Sequence, residues 1–183
     1  GQLKSNKEIN IIGLDNSQTT IESDNIIIST GSEPVSIPGV EIDEKIIVSS
    51  TGALSLKTVP KKMVVVGGGY IGLEMGSVWS RLGSEVHVVE FLDHITPGMD
   101  KEISSEFMKI LKKQGLKFHL NTKVEKIVKN NNGVRIDTID KTGKKEELDS
   151  DVVLIAVGRK AFTKHLNLEK LGIELDGKKR INV

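Results

Sequence analysis

A run of glycines between two valine-rich segments constrains the fold of this chain more than any other feature. The apolar segment 63–66 leads directly into the glycines at 67–69, and a stretch of helical character follows over residues 70–82. A second apolar segment, 86–89, then ends at the acidic residue Glu90. The order of strand, tight turn, helix and second strand is that of a βαβ unit, so this segment predicts an α/β fold.

The glycines have the spacing Gly-x-Gly-x-x-Gly, which is typical of turns that bind dinucleotides. Gly67 allows the tight turn, Gly69 leaves room for a pyrophosphate beside the backbone, and Gly72 lets the helix pack closely on the sheet. The start of the helix also presents unpaired N–H groups and the positive end of its dipole to the phosphates. The motif spacing itself therefore predicts contacts at Gly67, Gly69 and Gly72.

The acid at the end of the second strand predicts which dinucleotide binds. Glu90 lies 18 positions after Gly72, close to the offset of about 20 residues expected for the acid that binds the adenosine ribose. A carboxylate there accepts hydrogen bonds from a 2′-hydroxyl and repels a 2′-phosphate, and residues 91–93 supply no cation. We therefore predict NAD rather than NADP. The alternative, a glycine-rich turn without a ligand, does not account for the strands, the helix and the acid together.

Composition excludes several other classes of function. The chain has 183 residues, of which 37% are hydrophobic, with 26 basic and 25 acidic side chains, so neither a nucleic-acid nor a membrane-surface protein is indicated. It has no cysteine, which excludes disulfides, thiolate metal sites and cysteine catalysis within these residues. Its four histidines, His87, His94, His119 and His165, lack metal-ligand spacing, so no metal site is predicted. Because the chain has no initiator methionine, we expect a piece of a longer protein.

The first 60 residues show shorter elements. Segments 9–12 and 18–21 predict a hairpin, and the unbroken apolar run 25–31 predicts a strand that is buried on both faces. The polar segment 49–51 is expected to cap a short helix that continues to Leu56.

The remaining elements complete a Rossmann-like parallel sheet with crossover helices and an antiparallel β-meander. The sequence predicts helices over 70–82 and 100–114, a third parallel strand over 116–120, a meander of strands over 123–129, 134–140 and 145–148, and a last buried strand over 152–158. One face of the first helix is interpreted as core: Ile71, Met75, Trp79 and Leu82.

Taken together, these segments resemble the lipoamide branch of the pyridine nucleotide-disulfide oxidoreductase family. The resemblance covers essentially the whole chain and rests on motifs in the family's order: 27–34, 48–54, 67–74, 89–90, 113–115, 121–124 and 156–159. The segment 49–54 and the acid Glu90 favour this branch over the glutathione reductases, which use basic residues to bind NADPH.

The resemblance implies a protein with an FAD domain, an NAD domain inserted into it and a C-terminal dimerisation domain. Residues 1–55 are then the C-terminal part of the first FAD-domain segment. Residues 56–178 are the NAD-binding domain, and residues 179–183 begin the return to the FAD domain.

The resemblance also implies roles for individual residues. Gly68, Tyr70 and Ile71 would join the three motif glycines and Glu90 as NAD contacts. Val124 would lie beside the adenine, Gly158 near the nicotinamide, and Tyr70 at the position where related reductases have a tyrosine lid. Glu74 would belong to the NAD site and also support catalysis, through an ion pair with a lysine beside the flavin that lies outside these 183 residues. The residues expected to contact FAD are Gly1, Ser29, Thr30 and Gly31.

The activity implied by the resemblance is oxidation of dihydrolipoyl groups, carried by acyltransferase subunits of 2-oxoacid dehydrogenase complexes, by NAD⁺ through a redox disulfide and FAD. The redox cysteines and a His-Glu base are expected outside the chain, so we expect the isolated chain to be inactive. The intact protein would be a homodimer in bacterial cytoplasm or the mitochondrial matrix.

Two alternative functions remain open. One is a relative such as an NADH oxidase, peroxidase or mercuric reductase, and the other is an NAD-sensing module without catalysis. Two cysteines spaced by four residues in the upstream sequence would favour the lipoamide branch over an oxidase or peroxidase, and a bound flavin would argue against a sensing module.

Overall fold

The computed structural model describes residues 1–131 and 133–183, which form two compact units. The first unit comprises residues 1–33 and 159–183, and the second comprises residues 34–158. Among the helices of these described residues, none has the length and apolar character needed to span a bilayer.

The two long helices, the parallel strands that flank them and the meander follow the order expected from the sequence. The helices are α1 (Ser50–Ala53), α2 (Tyr70–Arg81), α3 (Lys101–Lys113) and a 3₁₀ turn at Leu168–Leu171. The strands are β1 (Gln2–Leu3), β2 (Glu8–Ile12), β3 (Gln18–Glu22), β4 (Ser32–Pro34), β5 (Ile47–Val48), β6 (Lys62–Val66), β7 (Glu85–Val89), β8 (Lys117–His119), β9 (Thr122–Asn130), β10 (Gly133–Asp140), β11 (Lys145–Ser150), β12 (Val152–Ile155) and β13 (Arg159–Ala161).

A five-stranded parallel sheet organises the second unit, with the strand order β5-β12-β6-β7-β8. Its central strands β6 and β12 carry consecutive buried apolar residues because both faces of the sheet are covered. On one face, Val65, Val88 and Leu154 pack with Leu73 of α2 and Leu111 of α3. The two crossover helices therefore cover this side of the sheet.

The opposite face of the sheet packs against the meander of β9, β10 and β11. Val64, Val89 and Ile155 point to this side, where they cluster with Ile136 of β10 and Leu148 of β11. Successive side chains on a strand point to opposite faces, so neighbouring valines on one strand serve two different cores. The predicted α/β architecture with an antiparallel meander is confirmed.

Both long helices begin and end within one residue of the predicted positions. The Asp100 side chain caps α3 by accepting hydrogen bonds from the N–H groups of Glu102 at 2.9 Å and Ile103 at 3.2 Å. Trp79 of α2 is buried as expected, but Leu82 is 56% exposed, so the prediction that it belongs to the core was wrong. Leu82 is the C-cap of α2, where the chain turns away from the helix before it can pack on the sheet.

The first unit has a smaller core and contains the main error of the sequence interpretation. Strands β1, β2 and β3 form an antiparallel sheet, and the predicted hairpin of β2 and β3 is confirmed. The apolar segment 25–31 does not form the predicted buried strand, and its Ile27 is 89% exposed. A buried strand needs neighbours that pair with its backbone along its length and cover both faces. Ile26 and Ile28 pack against the small core of this unit, but among the described residues no strand pairs with the segment along its length.

The boundaries of the compact units differ from the domain boundaries expected at 55/56 and 178/179. Residues 34–55 belong to the second unit because β5 pairs with β12 and Ala53 of α1 lies in the core under the helices. Asp43 also fixes this segment, since its carboxylate accepts N–H groups from residues 45–47 and forms a 2.8 Å ion pair with Lys129. The assignment of cofactors to the units stays a prediction.

Candidate functional site

The carboxyl edge of the parallel sheet brings the glycine turn and the acid together. Strands β6 and β7 pair in parallel with Val66 opposite Val89, so the residues that follow each strand emerge side by side. The N–H of Gly67 donates to the carbonyl of Val89 at 2.9 Å and continues the ladder into the turn. In open parallel sheets, ligands bind at this edge, where the connections of neighbouring strands leave on opposite sides.

Glu90 is 8% exposed and holds the turn through its side chain. Its Oε2 accepts a hydrogen bond from the N–H of Gly68 at 2.6 Å, and its Oε1 accepts one from the N–H of Leu92 at 2.8 Å. Its backbone is fixed as well, because its N–H donates to His119 and its carbonyl accepts from Thr122, both at 2.9 Å. A carboxylate has about four lone-pair sites, so two remain for a ligand.

Two of the three motif glycines are needed for close packing. A Cβ on Gly67 would lie 2.4 Å from the carbonyl oxygen of Ala156, and Gly67 also has a φ of +110°. A Cβ on Gly72 would lie 2.3 Å from the carbonyl oxygen of Gly67. The glycine turn therefore packs against Ala156, the residue after β12, and the first turn of α2 packs against the glycine turn, both at distances that exclude a side chain.

Gly69 differs from both, since a Cβ there would meet nothing within 4 Å. It is the N-cap of α2, and within the part of the chain that the structure describes no side chain caps this helix. The first N–H groups of a helix lack partners in the helix itself. The open backbone at Gly69, together with the helix dipole, can accept an anionic group such as a phosphate.

Comparison with known proteins agrees with this geometry. The family model described as pyridine nucleotide-disulphide oxidoreductase matches residues 2–183. The chain belongs to this oxidoreductase family. It is 59% identical over 169 residues to a dihydrolipoamide dehydrogenase from Chaetomium thermophilum, and the match covers 91% of the chain and 34% of that protein.

Other relatives give a consistent result. The chain is 50% identical to a mitochondrial dihydrolipoyl dehydrogenase from Pisum sativum, in a match that covers 100% of the chain and 37% of the relative. Among solved structures, the HOCl-induced flavoprotein disulfide reductase RclA from Escherichia coli matches with a TM-score of 0.84 and 30% identity, over 100% of the chain and 40% of that protein. The chain thus spans about a third of the length of the curated relatives it matches.

The other residues expected to bind the nucleotide lie on elements near the carboxyl edge of the five-stranded sheet. Val124 lies on β9, which starts at Thr122 beside the Glu90 carbonyl, but its side chain is buried in the core under the meander. Gly158 follows β12, is exposed and has a φ of +133°. Tyr70, at the start of α2, is 69% exposed, and Glu74 on the next turn is also exposed.

The residues expected to contact FAD lie in the first unit. The hydroxyl of Thr30 donates to the carbonyl of Phe162 at 2.6 Å, and the carbonyl of Gly31 accepts from the N–H of Phe162 at 3.0 Å. Gly31 has a φ of +74°, while Gly1 and Ser29 are exposed. Their role in flavin binding stays a prediction.

A histidine pair next to the site was missed by sequence reasoning. His87 Nδ1 lies 2.9 Å from His119 Nε2, and His87 Nε2 lies 3.0 Å from Glu85 Oε1. The rings stack with centroids 5.2 Å apart, and His119 Nδ1 lies 3.7 Å from Glu146 Oε2. The two histidines are 32 residues apart, and only the register of β7 with β8 brings them together.

Burial lowers the pKa of His119 below its ordinary value, while the charge of Glu146 opposes this shift. Electrostatic interactions with His87, Lys62 and Lys117 lower the pKa of His119 further. The folded protein therefore binds a proton at His119 less readily than the unfolded chain does. The stability that this provides is complete above the unfolded pKa of about 6.5 and is lost as the pH falls through the lower folded pKa.

We expect His119→Gln to remove this pH dependence, because glutamine occupies a similar volume and does not titrate. The free energy of unfolding, measured by urea denaturation from pH 7.5 to pH 5, should fall more steeply for the wild-type protein than for the variant. Glu85 titrates in a separate range, since its hydrogen bonds to Lys117 and His87 lower its pKa to about 2. Parallel pH profiles for the two proteins would show that His119 makes no such contribution.

Proposed function

We propose that this chain binds NAD at the carboxyl edge of the five-stranded sheet. The observation that carries the proposal is the pairing of an open backbone at Gly69 with a buried carboxylate, Glu90, that already holds the same turn. The pyrophosphate would lie against Gly69 and the first N–H groups of α2, and the adenosine ribose would bind Glu90. Both groups are in place before the ligand arrives, which reduces the ordering cost of binding.

The charges around Glu90 support NAD rather than NADP. The free lone pairs of its carboxylate can accept the ribose hydroxyls, whereas a 2′-phosphate would be repelled. The residues that follow are Phe91, which is 68% exposed, Leu92 and the acidic Asp93, so this segment offers no cation for a phosphate.

For the intact protein we propose the activity of a dihydrolipoyl dehydrogenase. The identities of 50% and 59% to relatives with that name support this over an oxidase, a peroxidase, a mercuric reductase or a sensing module. The overall reaction oxidises a dihydrolipoyl dithiol to the cyclic disulfide and reduces NAD⁺ to NADH, with release of one proton. The redox disulfide, FAD and nicotinamide supply the electron-transfer chemistry.

The chain's own residues would bind and orient the nucleotide. We assign the ribose to Glu90, the pyrophosphate to the turn at Gly69, and the neighbourhood of the nicotinamide to Gly158. Tyr70, exposed at the start of α2, is free to cover a bound nicotinamide. Glu74 would orient a lysine elsewhere in the protein that lies beside the flavin.

The intact protein also has an expected oligomeric state, partner and location. We propose a homodimer that receives dihydrolipoyl groups from acyltransferase subunits of a 2-oxoacid dehydrogenase complex. The relatives from Pisum sativum and Homo sapiens carry the word mitochondrial in their names, which supports the mitochondrial matrix over the bacterial cytoplasm. FAD would be bound in part by the segment around Thr30.

Gly69→Ala in the intact protein should impair NAD⁺ use without impairing folding. The added methyl group has free space in the fold, but it would occupy the path of the pyrophosphate. Loss of one or two hydrogen bonds to a charged group raises the KM for NAD⁺ roughly tenfold to 100-fold. The measurement is the steady-state rate of NAD⁺ reduction by dihydrolipoamide, together with the thermal midpoint.

Gly67→Ala is the matched variant, since its methyl group would clash with Ala156 and its φ is unfavourable for alanine. It should lower the thermal midpoint instead. A Gly69→Ala protein with an unchanged KM for NAD⁺ would contradict the site, and a wild-type protein without dihydrolipoamide activity would contradict the proposed reaction.

Glu90→Arg should shift the cofactor preference toward NADPH, because the guanidinium attracts a 2′-phosphate and the ribose loses its acceptor. The substitution also leaves the N–H groups of Gly68 and Leu92 unpaired, which weakens binding of both nucleotides. The ratio of the NADH and NADPH dissociation constants in one variant cancels that shared loss. Glu90→Gln is the neutral control and should weaken NADH without attracting NADPH. An unchanged ratio in Glu90→Arg would exclude Glu90 as the ribose ligand.

A further inference from the structure

Thr96 has a backbone conformation that threonine rarely adopts. Its φ is +49°, in the left-handed region, and the residue is 3% exposed. A β-branched side chain is unfavourable there, and a residue before proline, here Pro97, normally takes an extended conformation. Such strain persists only where surrounding contacts impose it, and it is concentrated at functional sites.

Two hydrogen bonds hold Thr96 in this conformation. Its N–H donates to the carbonyl of Gly68 in the glycine turn at 2.8 Å. Its Oγ1 lies 2.7 Å from Oγ of Ser104 on α3, and Ser104 is 2% exposed. The buried hydroxyl pair thus links α3 to the loop that contacts the turn.

The contact with Gly68 fixes the direction of the next N–H group. In a planar trans peptide, the C=O of one residue and the N–H of the next point in opposite directions. The peptide that joins Gly68 to Gly69 is trans, and its carbonyl points at Thr96. The N–H of Gly69 therefore points away from Thr96.

Glu90 fixes the preceding peptide through the N–H of Gly68 at 2.6 Å. The peptides on the two sides of Gly68 are thus each held by a hydrogen bond, one to the Glu90 carboxylate and one from the Thr96 N–H. Gly69 itself has no side chain and meets no neighbour on the side where a Cβ would be.

We propose that Thr96 is a positioning residue of the nucleotide site, which aims the N–H of Gly69 at the pyrophosphate of the bound dinucleotide. Ser104 maintains this arrangement by holding the Thr96 side chain. The inference rests on the proposed binding of NAD at this turn. This role accounts for the strained backbone of Thr96. A loop that only connected β7 to α3 would not require that strain.

The test uses the intact protein and compares Ser104→Ala with Ser105→Ala. Both variants remove one serine hydroxyl from α3, but Ser105 is exposed and Ser104 holds Thr96. Without the hydrogen bond to Ser104, Thr96 can relax toward negative φ and withdraw its N–H from the carbonyl of Gly68. We expect Ser104→Ala to raise the dissociation constant for NAD⁺ roughly fivefold, the effect of one net hydrogen bond. Ser105→Ala should leave it unchanged.

A second comparison introduces Ser104→Ala into a protein that already contains Thr96→Gly. Glycine adopts positive φ without a side-chain partner, so Ser104→Ala should have no further effect on NAD⁺ affinity in a protein that already contains Thr96→Gly. Adenosine, which lacks phosphates, serves as a probe that does not reach Gly69. Its dissociation constant, measured by competition with NAD⁺, should be the same in the wild-type protein and in Ser104→Ala.

Calorimetric titration and thermal unfolding of each variant separate the outcomes. Equal weakening of NAD⁺ and adenosine by Ser104→Ala would overturn the positioning role, because general loss of structure affects both ligands. An unchanged NAD⁺ affinity in Ser104→Ala, or an undiminished effect of that substitution in the Thr96→Gly background, would also overturn it. A wild-type protein that does not bind NAD⁺ would instead overturn the proposed function itself, and the inference with it.

Discussion

The hydrogen bond between the Glu90 carboxylate and the N–H of Gly68 is the interaction on which the candidate site depends. It joins the end of β7 to the turn that leaves β6, at a distance of 2.6 Å. A buried carboxylate without partners is costly, so the N–H groups of Gly68 and Leu92 stabilise Glu90 while Glu90 fixes the turn. The same side chain is left with free lone pairs for a ligand, so one residue both builds the site and is available to bind.

This interaction is possible only because the sheet is parallel and covered on both faces. The register of β6 with β7 places Val66 opposite Val89, and every residue that follows these strands emerges at one edge. Glycine at positions 67 and 72 lets the turn and α2 approach β12 closely, while Gly69 faces open space. The turn is therefore rigid where it contacts the protein and open where a phosphate can approach.

The parts of the fold that depend on local pattern could be predicted from the sequence. The helices, the parallel strands, the meander and the meeting of the glycine turn with Glu90 follow from apolar runs, caps and turn residues. The segment 25–31 could not be predicted correctly, because an apolar run forms a strand only where partners exist to pair with it. Nor could the sequence indicate the His87–His119 pair or the hydrogen bond between Ser104 and Thr96. Each depends on tertiary contacts between residues that form no motif.

A crystal structure of the intact protein with NAD⁺ bound tests the role of Glu90 and Gly69 most directly. We expect the pyrophosphate oxygens within hydrogen-bonding distance of the Gly69 N–H, and the adenosine ribose hydroxyls on the Glu90 carboxylate, with the hydrogen bond from Gly68 to Glu90 retained. A nucleotide bound away from this edge of the sheet, or an adenosine ribose that makes no contact with Glu90, would contradict that role.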